Sequence, residues 1–143
     1  AGYNVVDVRV TLVDGSFHPV DSSEMAFKIA GSMAFKKGFA DAGPVLLEPV
    51  MSVEVNVPDA NTGDTISDLN TKRGRILGME PQGSGRTVVK AIVPLAEMQR
   101  YGIDLTSITQ GRGAFTMKES HFEEVPAHTA ERIIAEAAKE KKE

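Results

Sequence analysis

The sequence predicts an α+β fold with an antiparallel four-stranded sheet, on three observations. Four segments alternate apolar and polar residues, the period of a strand with one buried face. Other segments repeat apolar residues at helical spacing. Gly- and Pro-containing pairs punctuate most junctions between the two kinds, where a chain must turn or stop.

The first element predicted is a strand over Val6, Val8, Val10 and Leu12, alternating with Asp7, Arg9 and Thr11. Asp14-Gly15-Ser16 supplies turn residues, and Asp21 with Glu24 has the spacing of a capping box. A helix follows to about Ala42, with Met25, Ile29 and Met33 beside Ala26, Ala30 and Ala34, and Gly43-Pro44 ends it. His18-Pro19 therefore sits between two regular elements, presented but not buried. The residues alone leave two readings of His18, a plain exposed turn histidine or a ring held out to meet a partner.

Val45-Leu46-Leu47 is predicted to close this first unit as a short strand interrupted by Pro49, placing a division near residue 48. Met51, Val53, Val55 and Val57 then alternate against Ser52, Glu54 and Asn56 as a second strand. A helix from about Asn61 to Arg73 turns Ile66 and Leu69 inward, with Gly74 as its stop. Ile76–Met79 and Thr87–Val93 are strands joined by Gln82-Gly83-Ser84-Gly85, and Pro94 closes the latter. Leu95, Met98, Tyr101, Leu105 and Ile108 give a helix bent at Gly102. A last strand is predicted from about Gly113 to His121, and Pro126 opens a helix carrying Ala130, Ile133, Ile134 and Ala137 on one side. Its end, Lys139 to Glu143, reads as a fraying mixture of Lys and Glu. From Met51 the order is strand, helix, strand, strand, helix, strand, helix, the split βαβ pattern of a ferredoxin-like fold. The first 48 residues, with one helix and little sheet to cover it, read as the back half of a domain.

Composition narrows the function classes. With 41% hydrophobic, 25% charged and 6% aromatic residues over 143 positions, the chain reads as ordinary globular protein. It has no cysteine, which excludes disulfides, thiolate metal sites and a cysteine nucleophile. No apolar run approaches the roughly 20 residues of a membrane helix, and no signal-peptide pattern is present, so no membrane role and a cytoplasmic location are the expectations. A net charge of −4 argues against nucleic-acid binding through overall charge, leaving local clusters only. These are Lys36-Lys37, Lys72-Arg73 with Arg75, Arg86 with Lys90, and Arg112 with Lys118, each equally readable as a solvated face.

Catalytic chemistry is not legible. Gly111-Arg112-Gly113 lacks the lysine and spacing of a phosphate loop, and Gly83-Ser84-Gly85 belongs to a hairpin turn. No two of His18, His121 and His128 stand four residues apart, as two metal ligands on one helix face would. His121 beside Glu123-Glu124 reads as edge packing. Neither a catalytic residue nor a metal ligand is assigned.

Five blocks carry a resemblance to the elongation factor G family. They are the 21 residues from Asp14 to Ala34, then Gly43–Pro49, Gly74–Glu80, Val93–Met98 and Thr109–Gly113, in order along nearly the whole chain. The resemblance implies a C-terminal fragment of a translational GTPase: residues 1–48 as the back half of the fourth domain, a partial ribosomal-S5-like βαβ unit, and 49–143 as the ferredoxin-like fifth domain. It implies a parent that moves tRNA and mRNA through the ribosome using GTP and magnesium, and helps ribosome recycling, whereas this fragment holds no cofactor and is not itself an enzyme. The implied partners are the small-subunit decoding region, the tRNA–mRNA pair, the large-subunit stalk base and the sarcin-ricin loop, with the fragment a monomer. The tip loop would comprise Asp14, Gly15, Ser16, Phe17, His18 and Asp21, with His18 facing the codon and anticodon backbone. Gly63, Lys72, Arg73, Ser107, Thr109, Gln110, Gly111 and Arg112 would map to ribosomal RNA.

Two departures from the family pattern stand out. Pro19 takes the place of a common acidic residue, which stiffens the tip and removes an amide donor, and Lys118-Glu119 replaces an apolar or aromatic residue. The alternatives are a paralogue specialised for recycling or rescue, and a free-standing ferredoxin-like module whose ligand would need an apolar pocket with converging polar groups.

Overall fold

The computed structural model describes residues 1–141; Lys142 and Glu143 of the expected fraying end lie outside them. The chain divides into two compact units, Leu47–Val125 and Ala1–Leu46 together with the segment from Pro126 onward. The final helix is therefore grouped with the N-terminal unit, where the sequence reading attached it to the second.

In the second unit, strand β1 (Leu47–Pro58) leads through a 3-10 turn into helix α1 (Thr62–Thr71), followed by β2 (Arg75–Pro81) and β3 (Arg86–Pro94). A second 3-10 turn precedes α2 (Tyr101–Thr109), and β4 (Ala114–Glu124) completes the unit. The sheet order is β2-β3-β1-β4, every pair antiparallel. This is the ferredoxin-like arrangement that the element order predicts.

The central strands explain its stability. Val53, Val55 and Val57 of β1 have no exposed surface, and Val53 and Val55 lie opposite Ala91 and Val89, also fully buried. Their alternation places one face against Leu69 of α1 and Tyr101 and Leu105 of α2. Each fully buried Val or Leu contributes about 1.5–3 kcal/mol relative to exposure. Phe115 of β4 meets Tyr101 edge to face, with ring centroids 4.9 Å apart and planes at 82°.

Several local expectations are corrected. Pro49 does not interrupt the strand: β1 starts at Leu47, and Pro49 pairs only with β4, opposite Phe122, because the β3 ladder begins at Val50. A missing N–H is tolerated where a strand is paired on one side. Val45 and Leu46 accordingly lie outside any strand. Gly102 lies inside α2, and the break falls at Gln99-Arg100, before the helix proper. The last strand reaches Glu124, past His121, with a register shift opposite Val50/Met51.

The stop of α1 also differs from expectation. Arg73, not Gly74, takes the left-handed conformation at φ 58°, and the Gly74 N–H closes the turn on Leu69 C=O at 2.9 Å. Gly74 is required for a different reason. A Cβ there would lie 2.6 Å from the Leu69 carbonyl oxygen and 3.1 Å from Val93 Cγ2, and backbone cannot give way cheaply. Gly74→Ala is expected to destabilise the unit by about 1–3 kcal/mol, the range for overpacking, read from urea denaturation.

In the other unit, α3 (Glu24–Asp41) and α4 (Ala127–Glu140) are the regular elements. The strand predicted over residues 6–12 does not form, and Val6, Val8, Val10 and Leu12 are all exposed. Alternation supplies a strand's two faces but not its hydrogen-bonding partner, and no described strand pairs with this segment. The cap of α3 is Ser23, whose Oγ accepts from the Ala26 N–H at 3.1 Å, so Asp21 and Glu24 do not form the expected capping box. Along the predicted apolar face Met25, Ile29, Ala30, Met33 and Ala34 are exposed and Ala26 is half-buried. In α4, Ala130, Ile133 and Ala137 are half-buried and Ile134 is exposed.

Candidate functional site

The loop before α3 is held by its own backbone and two serines. Asp14 Oδ1 accepts from the Gly15 N–H at 2.7 Å, but the turn predicted at residues 14–16 does not form and falls instead at Pro19–Asp21. The His18 N–H donates to Ser22 Oγ at 2.7 Å, and the Ser22 N–H donates to the His18 carbonyl at 2.9 Å. This reciprocal clasp closes residues 18–22 immediately before the Ser23 cap. Phe17 stacks on Phe27 of the first helical turns, centroids 6.3 Å apart and planes within 9°. The backbone of His18 is thus fixed from both sides, while Asp14, Gly15, Ser16, Phe17, His18 and Asp21 are exposed. Ser22 and Phe27 escape the sequence reading. The Asp21-Ser22-Ser23 run offers three candidate caps, and only geometry separates the clasp from the cap.

The residues mapped to ribosomal RNA fall into two groups in the second unit. Lys72 and Arg73, at the end of α1, face carboxylates. Lys72 Nζ lies 3.2 Å from Asp68 Oδ1 and 2.9 Å from Asp104 Oδ2. Burial works against its charge, yet hydrogen bonds to Asp104 and Asp68 outweigh it and leave the pKa raised. Arg73 forms a two-pronged pair with Glu48 at 2.6 and 3.1 Å, and its Nε reaches Glu97 at 3.0 Å. The Glu48 bond is the largest influence and raises the guanidinium pKa against desolvation. Gly63, on α1, is exposed.

Ser107, Thr109, Gln110, Gly111 and Arg112 form the second group, at the end of α2. Ser107, Gln110, Gly111 and Arg112 are exposed. Thr109 is fully buried, its hydroxyl donating to Leu105 C=O at 2.7 Å and accepting from the Gly113 N–H at 2.8 Å. Gly113 permits that closeness, since a Cβ would lie 2.8 Å from Thr109 Oγ1 and 2.9 Å from Leu105 Cγ. Nothing polar is left on the Thr109 side chain for a partner, whereas its neighbours present side chains outward.

The other basic clusters are also partly engaged. Arg75 pairs with Glu123 at 3.1 Å and Lys90 with Glu80 at 2.7 Å. His121 is exposed rather than packed at an edge, its Nδ1 2.8 Å from Ser120 Oγ and its Nε2 2.7 Å from Glu123 Oε1. Along the sheet, an open groove is lined by Glu54, Asn56, Val88, Ala114, Phe115 and Thr116. This mixed, open lining does not resemble the enclosed apolar pocket that a small-ligand module needs.

Comparison with known proteins decides the family. Residues 1–43 match elongation factor G, domain IV, and residues 45–133 match the elongation factor G C-terminus. The chain belongs to the elongation factor G family. It is 61% identical over 136 residues to elongation factor G of Aquifex pyrophilus, covering 95% of this chain but 19% of that protein. A crystal structure of a protein from Thermus thermophilus superposes with a TM-score of 0.73 at 52% identity, over 88% of this chain and 19% of the other. The chain thus spans about a fifth of the length of the elongation factor G it matches, and the matched parts are its domain IV and C-terminus. Within this elongation factor G segment no described helix is long and apolar enough to cross a membrane.

The surface cluster on β4 gives a pH prediction. The hydrogen bond from His121, with Arg75 adding to it, holds the Glu123 carboxyl below its ordinary value of 4.5. A depressed carboxylate stabilises the fold above its unfolded pKa, and that contribution fades as pH falls through the folded one. At this exposed site the contribution is small. His121→Phe is expected to return the Glu123 pKa toward its ordinary value, read from a carbon-detected NMR titration; an unchanged midpoint would contradict the assignment.

Proposed function

We propose that the chain forms the ribosome-facing C-terminal part of a factor that drives translocation of tRNA and mRNA and assists ribosome recycling. In this reading the loop around His18 enters the small-subunit decoding region and meets the tRNA–mRNA backbone there. The exposed residues Ser107, Gln110, Gly111 and Arg112 meet ribosomal RNA of the large subunit near the stalk base and the sarcin-ricin loop. GTP and magnesium belong to other parts of the factor, and no residue of this chain is assigned to them.

The observation that carries the proposal is the build of the tip loop. The Ser22 clasp and the Phe17–Phe27 stack devote the loop's internal contacts to fixing the His18 backbone. Among the described residues no hydrogen bond to the His18 ring is found, so its nitrogens remain for a partner. A neutral imidazole offers one donor and one acceptor, and a protonated one two donors, both suited to phosphate and 2′-hydroxyl groups. Mechanically, a stiff loop acts as a wedge: it occupies the position a moving tRNA vacates and disfavours its return.

Lys72 and Arg73 act in this proposal through the fold more than as phosphate ligands, because binding RNA would cost each its carboxylate partners. The test is a chimera in which this sequence replaces the corresponding segment of a full-length elongation factor G. Translocation within a few-fold of the parent rate is expected. A chimera that binds ribosomes and hydrolyses GTP normally yet leaves tRNA unmoved would overturn the reading.

A further inference from the structure

We propose that Arg86 is a positioning residue for the Gln110–Arg112 loop, holding it so that Gln110 and Arg112 face a phosphodiester backbone; this rests on reading that loop as RNA-contacting. The loop leaves α2 through two successive left-handed residues, Gln110 at φ 54° and Gly111 at φ 79°. Its first half is tied to the helix by the Gly111 N–H to Thr106 C=O at 2.9 Å and the Arg112 N–H to Thr109 C=O at 3.1 Å. Those bonds leave the Arg112 carbonyl, the last group before Gly113, without a partner in the helix. Arg86, the first residue of β3, supplies it: Nη2 donates to Arg112 C=O at 2.8 Å.

Arg86 is itself anchored to the rigid part of the sheet. Its Nε donates to Asn56 Oδ1 at 2.7 Å and its Nη2 also donates to Asn56 C=O at 3.1 Å. Asn56 lies in β1 between Val88 of β3 and Ala114 of β4, so it has ladder neighbours on both sides. One planar guanidinium therefore links the central strand to the loop, a geometry a lysine ammonium does not reproduce. Lys72, Arg73, Arg75 and Lys90 are all paired with carboxylates, whereas Arg86 and Arg112 bond only to neutral oxygens. Two uncompensated arginines joined through a backbone carbonyl suit a polyanion.

The test uses the full-length chimera with Arg86→Gln, Arg86→Lys and Arg112→Gln, measuring ribosome affinity, and amide hydrogen exchange at Arg112 and Gly113. Leu69→Val, which loosens the core at α1 without removing any bond to the loop, controls for stability alone. Arg112→Gln is expected to weaken ribosome binding about tenfold, and both Arg86 variants to weaken it similarly while speeding exchange at Arg112 and Gly113. Leu69→Val should leave affinity unchanged. Full affinity for Arg86→Lys, or loss matched by Leu69→Val, overturns positioning. Full affinity for both Arg86 variants with loss for Arg112→Gln also overturns it while the reading of the loop stands. Full affinity for Arg112→Gln as well removes that reading and the proposal with it. If Arg86→Gln fails to fold, the Arg86→Lys measurements decide.

Discussion

Arg73→Ala is expected to cost about 2 kcal/mol of stability. Breaking a buried pair typically costs about 3–5 kcal/mol because one charge is left unpaired. Discounting is needed because the Arg73 side chain keeps 27% of its surface exposed. The paired Glu48 carboxylate, at 12%, is the group that suffers. For a unit of this size, thermal denaturation should show a midpoint lower by roughly 10 °C. Arg73→Gly separates the causes. It loses the same ion pairs but relieves the left-handed backbone at φ 58°, which costs a non-glycine residue about 1 kcal/mol. Arg73→Gly should therefore fall between the wild type and Arg73→Ala. Equal stability of all three would mean that the Glu48–Arg73–Glu97 cluster contributes nothing.

Arg73 also shows where the sequence stops being informative. The Lys72-Arg73 pair after a helix reads as a basic cluster, and one-dimensional spacing does not reveal that Glu48 and Glu97 converge on it. The positive φ is equally hidden, because glycine is the residue expected there and glycine follows immediately. By contrast, the alternation of Val53, Val55 and Val57 sets which face is buried, and the sheet obeys it because β1 has partner strands on both sides. The same alternation at Val6–Leu12 fails for want of one. Period-2 patterning specifies a face, and a partner strand is what turns it into structure. Before α3 the residue types were enough to predict an irregular segment over residues 14–21, since Asp, Gly, Ser and Pro favour turns. What fixes the loop came from Ser22 and Phe27, which look in sequence like a helix cap and a helix face.

The second large effect concerns His18. In the full-length chimera, His18→Ala is expected to slow translocation about tenfold, because the loss of one or two hydrogen bonds at about 0.5–1.5 kcal/mol each corresponds to roughly that factor. GTP hydrolysis should change little, since no residue of this chain is assigned to nucleotide. Ser22→Ala, which removes the side-chain half of the clasp but keeps the imidazole, should give an intermediate rate. Its effect would come from a less fixed loop, as preorganised contacts lose value when their support moves. Identical translocation rates for wild type and His18→Ala would remove the ring from the mechanism. A parallel fall in GTP hydrolysis would point instead to a general defect in ribosome engagement.

Site-specific cross-linking reports where the loop around His18 lies on the ribosome. A photoreactive residue at position 18 of the chimera, stalled on the ribosome with a nonhydrolysable GTP analogue, places a short-range probe at the tip of the loop. Cross-links to the tRNA–mRNA pair and to decoding-region RNA of the small subunit are expected. Cross-links from position 18 confined to large-subunit RNA or protein would contradict it.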